Sequence, residues 1–461
     1  MQKILAIAWL TWKAAIRFRL FLVLTVLLLV TVVGLPILIK DDGTAQGFAR
    51  ILLTYTLSSV TALLGLSSLW LACGTLARDI EECQIQTVAV KPVARWQIWL
   101  GKWVGLVSLN AVLLAISGTS IYAVLQWRAA RLPTDQQRAL SDQVLIALGS
   151  ARETGHAQII ERETDRLVQE RLKAAHSADL NVAQLRQLAR LQVLARMQVV
   201  NPGELHAWSI NLGSAKDKLR GQQLNLRVRF NSADKSESGT FTALWHVGDP
   251  DKSRVWQSEP MSLAPDTFHQ FAIPPDLFDA DGNLTIMFQN PNGIALLFPL
   301  EDGVEVLYRE SSFGANYVRG LGIILCWLAL LTALGLATAS FLSFPVAAFC
   351  SLTLIVMAFF SSSISGVVKD ASLLGFNPQT GEMYHTPFDT VFIPVFRVIV
   401  TVIDLAKDFS PIDSLSSGRN ITWTELLAAF ARIVLLLGGV VGGLGIFLFH
   451  RRELATAQGT Q

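Results

Sequence analysis

The chain has 461 residues, of which 51% are hydrophobic and only 16% are charged, and its formal net charge is +2. A soluble globular protein carries about 25% charged residues, so this composition excludes an ordinary soluble enzyme. Because the net charge is close to zero, bulk electrostatics gives no reason to expect a nucleic-acid partner. The charges are unevenly placed, since 43 of the 74 lie in residues 127–316. A water-soluble insert therefore interrupts an apolar chain.

Six apolar segments predict membrane-spanning helices, because a span needs about 20 mostly apolar residues. They are residues 20–39, 51–77, 104–125, 317–336, 346–368 and 433–449. The first segment is too long for the core of a signal peptide, and no small-residue cleavage site follows it. We therefore expect it to be retained. Residues 391–403 are apolar but too short to span, and with Pro394 and Arg397 they fit an interfacial or re-entrant helix near the outer surface.

Basic residues in the short loops predict the orientation of the spans. Three clusters precede the first span, separate the second from the third, and follow the last: Lys3, Lys13, Arg17 and Arg19; Arg78, Lys91, Arg95 and Lys102; Arg451 and Arg452. Six spans put all three clusters on one side, whereas five or seven would divide them. We expect both termini in the cytoplasm, residues 127–316 outside it, and the chain in the inner (plasma) membrane.

The insert divides into two parts near Pro202. Apolar residues at helical spacing in residues 156–176 and 182–199 predict amphipathic helices, which make a helical stalk of residues 127–202. Residues 224–230, 239–246 and 283–288 alternate apolar and polar side chains, so residues 203–316 are predicted to form an antiparallel β-sandwich.

The predicted fold class is thus an α-helical membrane protein with six transmembrane helices and an inserted extracytoplasmic α+β domain. The membrane parts are residues 1–126, which hold spans one to three, and residues 317–461, which hold spans four to six. Within the insert, residues 271–286 resemble the jelly-roll sandwiches of carbohydrate-binding modules. Trp245 and Trp256 are candidates for stacking on a sugar ring, and the alternative is that such aromatics form the core of a small sandwich.

We find no catalytic motif in the chain. There is no GxxxxGK[ST] phosphate loop, no GxGxxG before a helix and no GxSxG turn, and no Cys/His spacing indicates a metal site. His246, Asp249 and Asp251 surround one turn, which leaves a membrane enzyme with a metal site as one rival interpretation and a solvated turn as the other. We expect no cofactor, no metal and no enzyme activity in this chain itself.

The loop after the second span carries the most informative pattern. Acidic residues are followed by Val88-Ala-Val-Lys-Pro-Val-Ala-Arg95 and then by Gly101-Lys102. This order resembles the permease subunits of type-2 ABC exporters. Residues 5–19 resemble the amphipathic elbow helix of that family, residues 409–423 are similar to its segment before the last span, and residues 449–453 resemble its basic ending. The large insert is a departure from many relatives.

The resemblance implies a subunit that pairs with a second copy or with a related permease, and that is driven by a separate cytoplasmic ABC ATPase holding ATP and magnesium. It implies that the loop after span two contacts this ATPase and that its last residues transmit movement into span three. The implied contact and coupling residues are Arg78, Asp79, Glu81, Glu82, Lys91, Pro92 and Arg95. The insert is then expected to dock an extracytoplasmic partner or substrate. The alternative is a membrane-anchored binding or sensing protein, for instance one that binds carbohydrate, without transport.

Overall fold

The computed structural model of the chain describes most of its residues. These are 2–17, 20–38, 45–82, 93–131, 133, 137, 146–174, 182–232, 234, 239–300, 302–360, 364, 365, 367, 368, 386, 388–407 and 409–452. The chain divides into two compact units, one of Met1–Ala147 with Ser311–Gln461 and the other of Leu148–Glu310. Each unit has its own hydrophobic core.

The described helices are, in chain order, α1 (Gln2–Arg17), α2 (Leu20–Leu38), α3 (Ala45–Glu81), α4 (Arg95–Ala129), α5 (His156–Ala174), α6 (Val182–Gln198), α7 (Lys216–Leu219), α8 (Phe313–Ala339), α9 (Phe344–Phe359), α10 (Asp389–Lys407), α11 (Pro411–Ser416), α12 (Trp423–Ala429) and α13 (Gly439–Arg451). A π-helical segment, Phe430–Gly438, joins α12 to α13. Thr422 caps the start of α12, since its hydroxyl accepts a hydrogen bond from the Glu425 N–H at 3.1 Å. The sequence predicts this cap from the Thr422–Glu425 spacing.

Among the described residues, four helices are long and apolar enough to cross a membrane, which makes the chain a membrane protein by length and composition. They are Ala49–Glu81, Arg95–Ala129, Phe313–Ala339 and Trp423–Arg451. Two shorter apolar helices, Leu22–Leu35 and Phe344–Ala358, coincide with the first and fifth predicted spans. The count of six spans therefore stays a prediction.

Glycines allow the helices of the first unit to approach closely. A Cβ on Gly101 of α4 would lie 2.7 Å from the Ile7 Cβ of α1, and one on Gly105 would lie 2.9 Å from the Thr11 Cβ. On α8, a Cβ at Gly335 would lie 2.8 Å from the Ala72 Cβ of α3. Only a hydrogen atom fits at these positions, as is common where membrane helices pack. The elbow-like helix α1 is thus fitted directly against α4.

Helix α10 contains the segment predicted to be interfacial. It includes Pro394 inside the helix and leaves Val391, Val395 and Val398 exposed. An exposed apolar stripe beside the exposed Arg397 is typical of a helix that lies at a membrane surface.

The second unit combines antiparallel sheets with the helices α5 and α6. The described strands are β1 (Ile146–Ala151), β2 (Val199–Val200), β3 (Leu205–Asn211), β4 (Leu224–Val228), β5 (Asn231–Ser232), β6 (Phe241–Val247), β7 (Trp256–Gln257), β8 (Met261–Leu263), β9 (His269–Ile273), β10 (Asn283–Gln289), β11 (Leu296–Leu297) and β12 (Val304–Ser312). One sheet has the order β1-β12-β4-β9, a second has the order β3-β10-β6-β7 with β8 also on β6, and a small third has the order β2-β11-β5. Strand β1 lies in the part of the insert that the sequence predicts as purely helical.

Alternating side chains of the two larger sheets meet in one aromatic core, as in a sandwich. Trp245 of β6 lies 4.8 Å from Phe288 of β10, measured between ring centroids, and Phe298 lies 5.2 Å from the same ring of Phe288. Leu226 of β4 belongs to this core from the other sheet. The period-two pattern of the sequence therefore correctly identifies the buried face of β6 and of β10.

Candidate functional site

The charged end of α3 is bonded to α4. The Lys102 Nζ of α4 lies 2.5 Å from the Asp79 Oδ2 and also donates to the Thr75 carbonyl oxygen at 2.9 Å. The Lys102 side chain is only 10% exposed, whereas that of Asp79 is 33% exposed. A buried ammonium needs a partner because an unpaired one is costly. Asp79, one of the residues that the sequence assigns to an external contact, therefore holds α3 to α4.

Glu81 and Arg78 contact the start of α9. The Glu81 carboxylate accepts a hydrogen bond from the Phe344 N–H at 3.0 Å. The preceding Ser343 makes no side-chain cap, so Glu81 supplies from α3 the acceptor that a helix N-terminus requires. The Arg78 guanidinium lies 4.8 Å from the centroid of the Phe344 ring, which fits a cation–π contact. Both side chains nevertheless remain on the surface.

Arg95, at the first turn of α4, holds the end of the last helix. Its Nη1 donates to the carbonyl oxygens of Phe449, His450 and Arg452 at 3.0, 2.8 and 2.9 Å. A cation at a helix C-terminus is favourable because the last carbonyl groups lack partners inside the helix. The side chain predicted to transmit movement into span three is therefore bonded to the last helix as well.

The remaining predicted contact residues separate into two groups. Glu82 is exposed at the end of α3. Lys91 and Pro92 lie outside the described residues. The end of α3 is thus bonded to α4 through Asp79 and to α9 through Glu81, and the start of α4 is bonded to α13 through Arg95.

The tryptophans of α4 face different surroundings, although their spacing predicts one stripe. Trp96 is 47% exposed and Trp99 is only 3% exposed. The Trp99 ring lies against two glycines of α13, with 3.0 Å between it and the Cβ position of Gly442. The Trp103 Nε1 donates to the Ala329 carbonyl oxygen of α8 at 3.0 Å. Two of these side chains therefore pack between helices.

The aromatic residues predicted to stack on a ligand differ in the same way. Trp245 has no exposed surface, so it offers no face to a sugar and belongs to the core. Trp256 is half-buried on the edge strand β7.

The turn considered as a metal site is bonded within itself, since the Asp249 Oδ1 accepts the Asp251 N–H at 3.0 Å. Among the described residues, no group of three or more His, Cys, Asp or Glu side chains could hold a metal ion.

The sheets also contain a buried ion cluster that the sequence analysis does not predict. Glu305 of β12 lies opposite Arg227 of β4, and its side chain is fully buried. Its carboxylate is 3.1 Å from the Arg227 Nη1 and 3.1 Å from the Arg152 Nη2. Arg227 and Glu305 alternate with core residues of their strands and so lie on the opposite face of the sheet, which the period-two pattern assigns to solvent. On β3, burial lowers the pKa of His206, although Glu153 and Glu204 act against this shift.

Comparisons with known proteins add no functional assignment, so any assignment rests on the residues described above. No protein-family model matches the chain, and neither a curated protein nor a solved structure matches it.

Proposed function

We propose that the chain is the membrane-spanning permease subunit of an ATP-driven export complex of the ABC type, energised by a separate ATPase subunit. The proposal adds two spans, within α2 and α9, to the four helices of membrane-crossing length. It puts the chain in the inner membrane, with both termini cytoplasmic and residues 127–316 extracytoplasmic. The second permease of the complex is a second copy or a related chain.

One observation supports this proposal above the others. The loop between α3 and α4 begins and ends at side chains that bond α4, α9 and α13. A partner that pulled on this loop would act on three helices together. The fitted contact between α1 and α4 adds an elbow-like helix to the same assembly of helices. Such an arrangement suits a coupling surface more than a simple membrane anchor.

This proposal assigns fewer residues to the ATPase contact than the family resemblance implies. Asp79 and Arg95 are engaged within the chain, so we assign them to holding helices together. We assign the partner contact to Arg78, Glu81 and Glu82, whose side chains are exposed. A transported molecule would move when the two ATPase states favour different arrangements of the helices, since coupling requires a difference in contact free energy.

The test is purification of the tagged full-length chain from its native host in mild detergent, followed by identification of co-purifying proteins and an ATP hydrolysis assay. We expect a stoichiometric cytoplasmic ATPase. Glu82→Lys should remove it while leaving membrane insertion intact. Glu163→Lys, an equal charge reversal on an exposed residue of α5, is the matched control and should retain it.

Two outcomes contradict the proposal in different ways. Equal ATPase recovery with Glu82→Lys and Glu163→Lys would refute the contact at Glu82. A chain that arrives alone, or only with envelope proteins, would refute the permease assignment and favour an anchored extracytoplasmic binding protein.

A further inference from the structure

The second unit contains a groove of about 500 Å³ between its helices and its sheets. Residues of α5 and α6 line it, together with Arg229 and with residues of the 299–302 segment. This volume is within the range of about 300–1,000 Å³ that small-molecule sites occupy. The groove is therefore large enough for a ligand of one or two rings.

The groove is already formed because both helices are bonded to the sheets at their bases. The Phe298 N–H donates to the Gln198 carbonyl oxygen at the end of α6 at 2.7 Å. Just before α5, the Glu153 carboxylate accepts the Ser209 N–H of β3 at 3.2 Å. A ligand would meet a preorganised site, which reduces the ordering cost of binding.

The charges that line the groove are paired, with one exception. The Arg229 Nη2 lies 3.0 Å from the Asp302 Oδ2, and Glu161 lies 3.2 Å from the Arg186 Nη2. His156 also has a carboxylate neighbour, since its Nε2 lies 3.6 Å from the Glu153 Oε2.

Arg190 of α6 is the exception. It lines the groove and has no ion-pair partner among the residues that the structure describes. Ile160, Leu194 and Leu300 line the same groove with apolar surface. The groove thus offers an exposed guanidinium beside apolar side chains. A neutral apolar molecule would leave that cation unused, and a small inorganic anion would leave the apolar surface in water.

We propose that this groove binds a small amphipathic anion, with a carboxylate or phosphate group at Arg190 and an apolar body against Ile160, Leu194 and Leu300. A guanidinium suits either anion because it presents a planar set of N–H donors. This site does not depend on the permease assignment.

The test uses 4-biphenylcarboxylate as the probe and 4-biphenylcarboxamide as its neutral match. Binding to the full-length chain in lipid nanodiscs is titrated by saturation-transfer NMR, and the signal from empty nanodiscs is subtracted. We expect the carboxylate to bind about threefold more tightly than the carboxamide, because Arg190 is exposed and water screens the ion pair.

Variants of α6 locate the site. Arg190→Gln should abolish the preference for the carboxylate. Arg196→Gln removes an equal charge from an exposed position of the same helix and should leave the preference intact. Leu194→Trp should fill the groove and weaken both probes, with folding checked by circular dichroism. The inference is overturned if the unaltered chain shows no saturable binding, if the two probes bind equally, or if Arg190→Gln and Arg196→Gln bind alike.

Discussion

Replacing Asp79 by Asn tests whether this residue holds helices together. The change removes the anion that lies 2.5 Å from the Lys102 Nζ and leaves the Thr75 carbonyl oxygen as an acceptor for that ammonium. A hydrogen bond to a charged group contributes about 1.5–3 kcal/mol, and a buried group left without it incurs a similar cost. The Lys102 side chain is 10% exposed and that of Asp79 is 33% exposed, so water replaces part of the loss. We expect the free energy of unfolding to fall by about 2 kcal/mol.

A double-mutant cycle identifies the cause of that loss. Lys102→Met removes the ammonium and keeps an apolar stem of similar length, so Asp79→Asn should cost little in its presence. The two substitutions should therefore be non-additive by about 1–2 kcal/mol. Unfolding of the full-length chain is measured in mixed micelles by titration with an anionic detergent and followed by circular dichroism.

Glu82→Gln is the matched control, because it removes the same charge from an exposed position nearby. It should change the free energy of unfolding by no more than about 0.5 kcal/mol. If Asp79→Asn is as mild as Glu82→Gln, or if the cycle is additive, the Asp79–Lys102 pair contributes no more than a surface ion pair. The structural role that we assign to Asp79 would then be refuted.

Two further predictions concern the second unit, and both are measured as urea unfolding of the full-length chain followed by tryptophan fluorescence. Glu305→Gln leaves two arginines without their buried anion and should cost about 3–5 kcal/mol; an unchanged midpoint would refute this. Burial lowers the pKa of His206, so the unfolded state binds the proton more readily than the folded state. Stability should therefore fall as pH drops below the ordinary histidine pKa of about 6.5 and level off below the folded pKa. His206→Gln should flatten this dependence, and an equally steep loss in the variant would assign it to other groups.

The sequence predicts much of the local structure because each element carries its own periodicity. Helices α5 and α6 and strand β4 lie within the segments predicted for them, and strands β6 and β10 extend one residue beyond theirs. The strand β1 was missed because residues 146–151 show no alternation of apolar and polar side chains, and four consecutive residues of it are buried. A buried run of this kind is hard to assign from periodicity alone.

Contacts between distant segments could not be predicted in the same way. The spacing of Trp96 and Trp99 puts them on one helix face, but the glycines of α13 decide which of them is buried. Likewise, the acidic residues at the end of α3 look like a solvated patch until the positions of Lys102 and Phe344 are known. The sequence therefore identifies these residues as notable, but only the fold shows which residues they contact.

These partners change how a signal at the loop between α3 and α4 would reach the membrane helices. If all the charged residues faced outward, an ATPase would bind strongly but would pull on α3 and α4 alone. With Asp79 bonded to α4, Glu81 to α9 and Arg95 to α13, displacement of the loop must either move these helices together or break charge-assisted hydrogen bonds. Such a bond contributes about 1.5–3 kcal/mol where it is buried and less at the exposed Glu81, so these bonds favour joint movement over separation. The same side chains thus suit coupling better when they hold the helices than when they contact the partner directly.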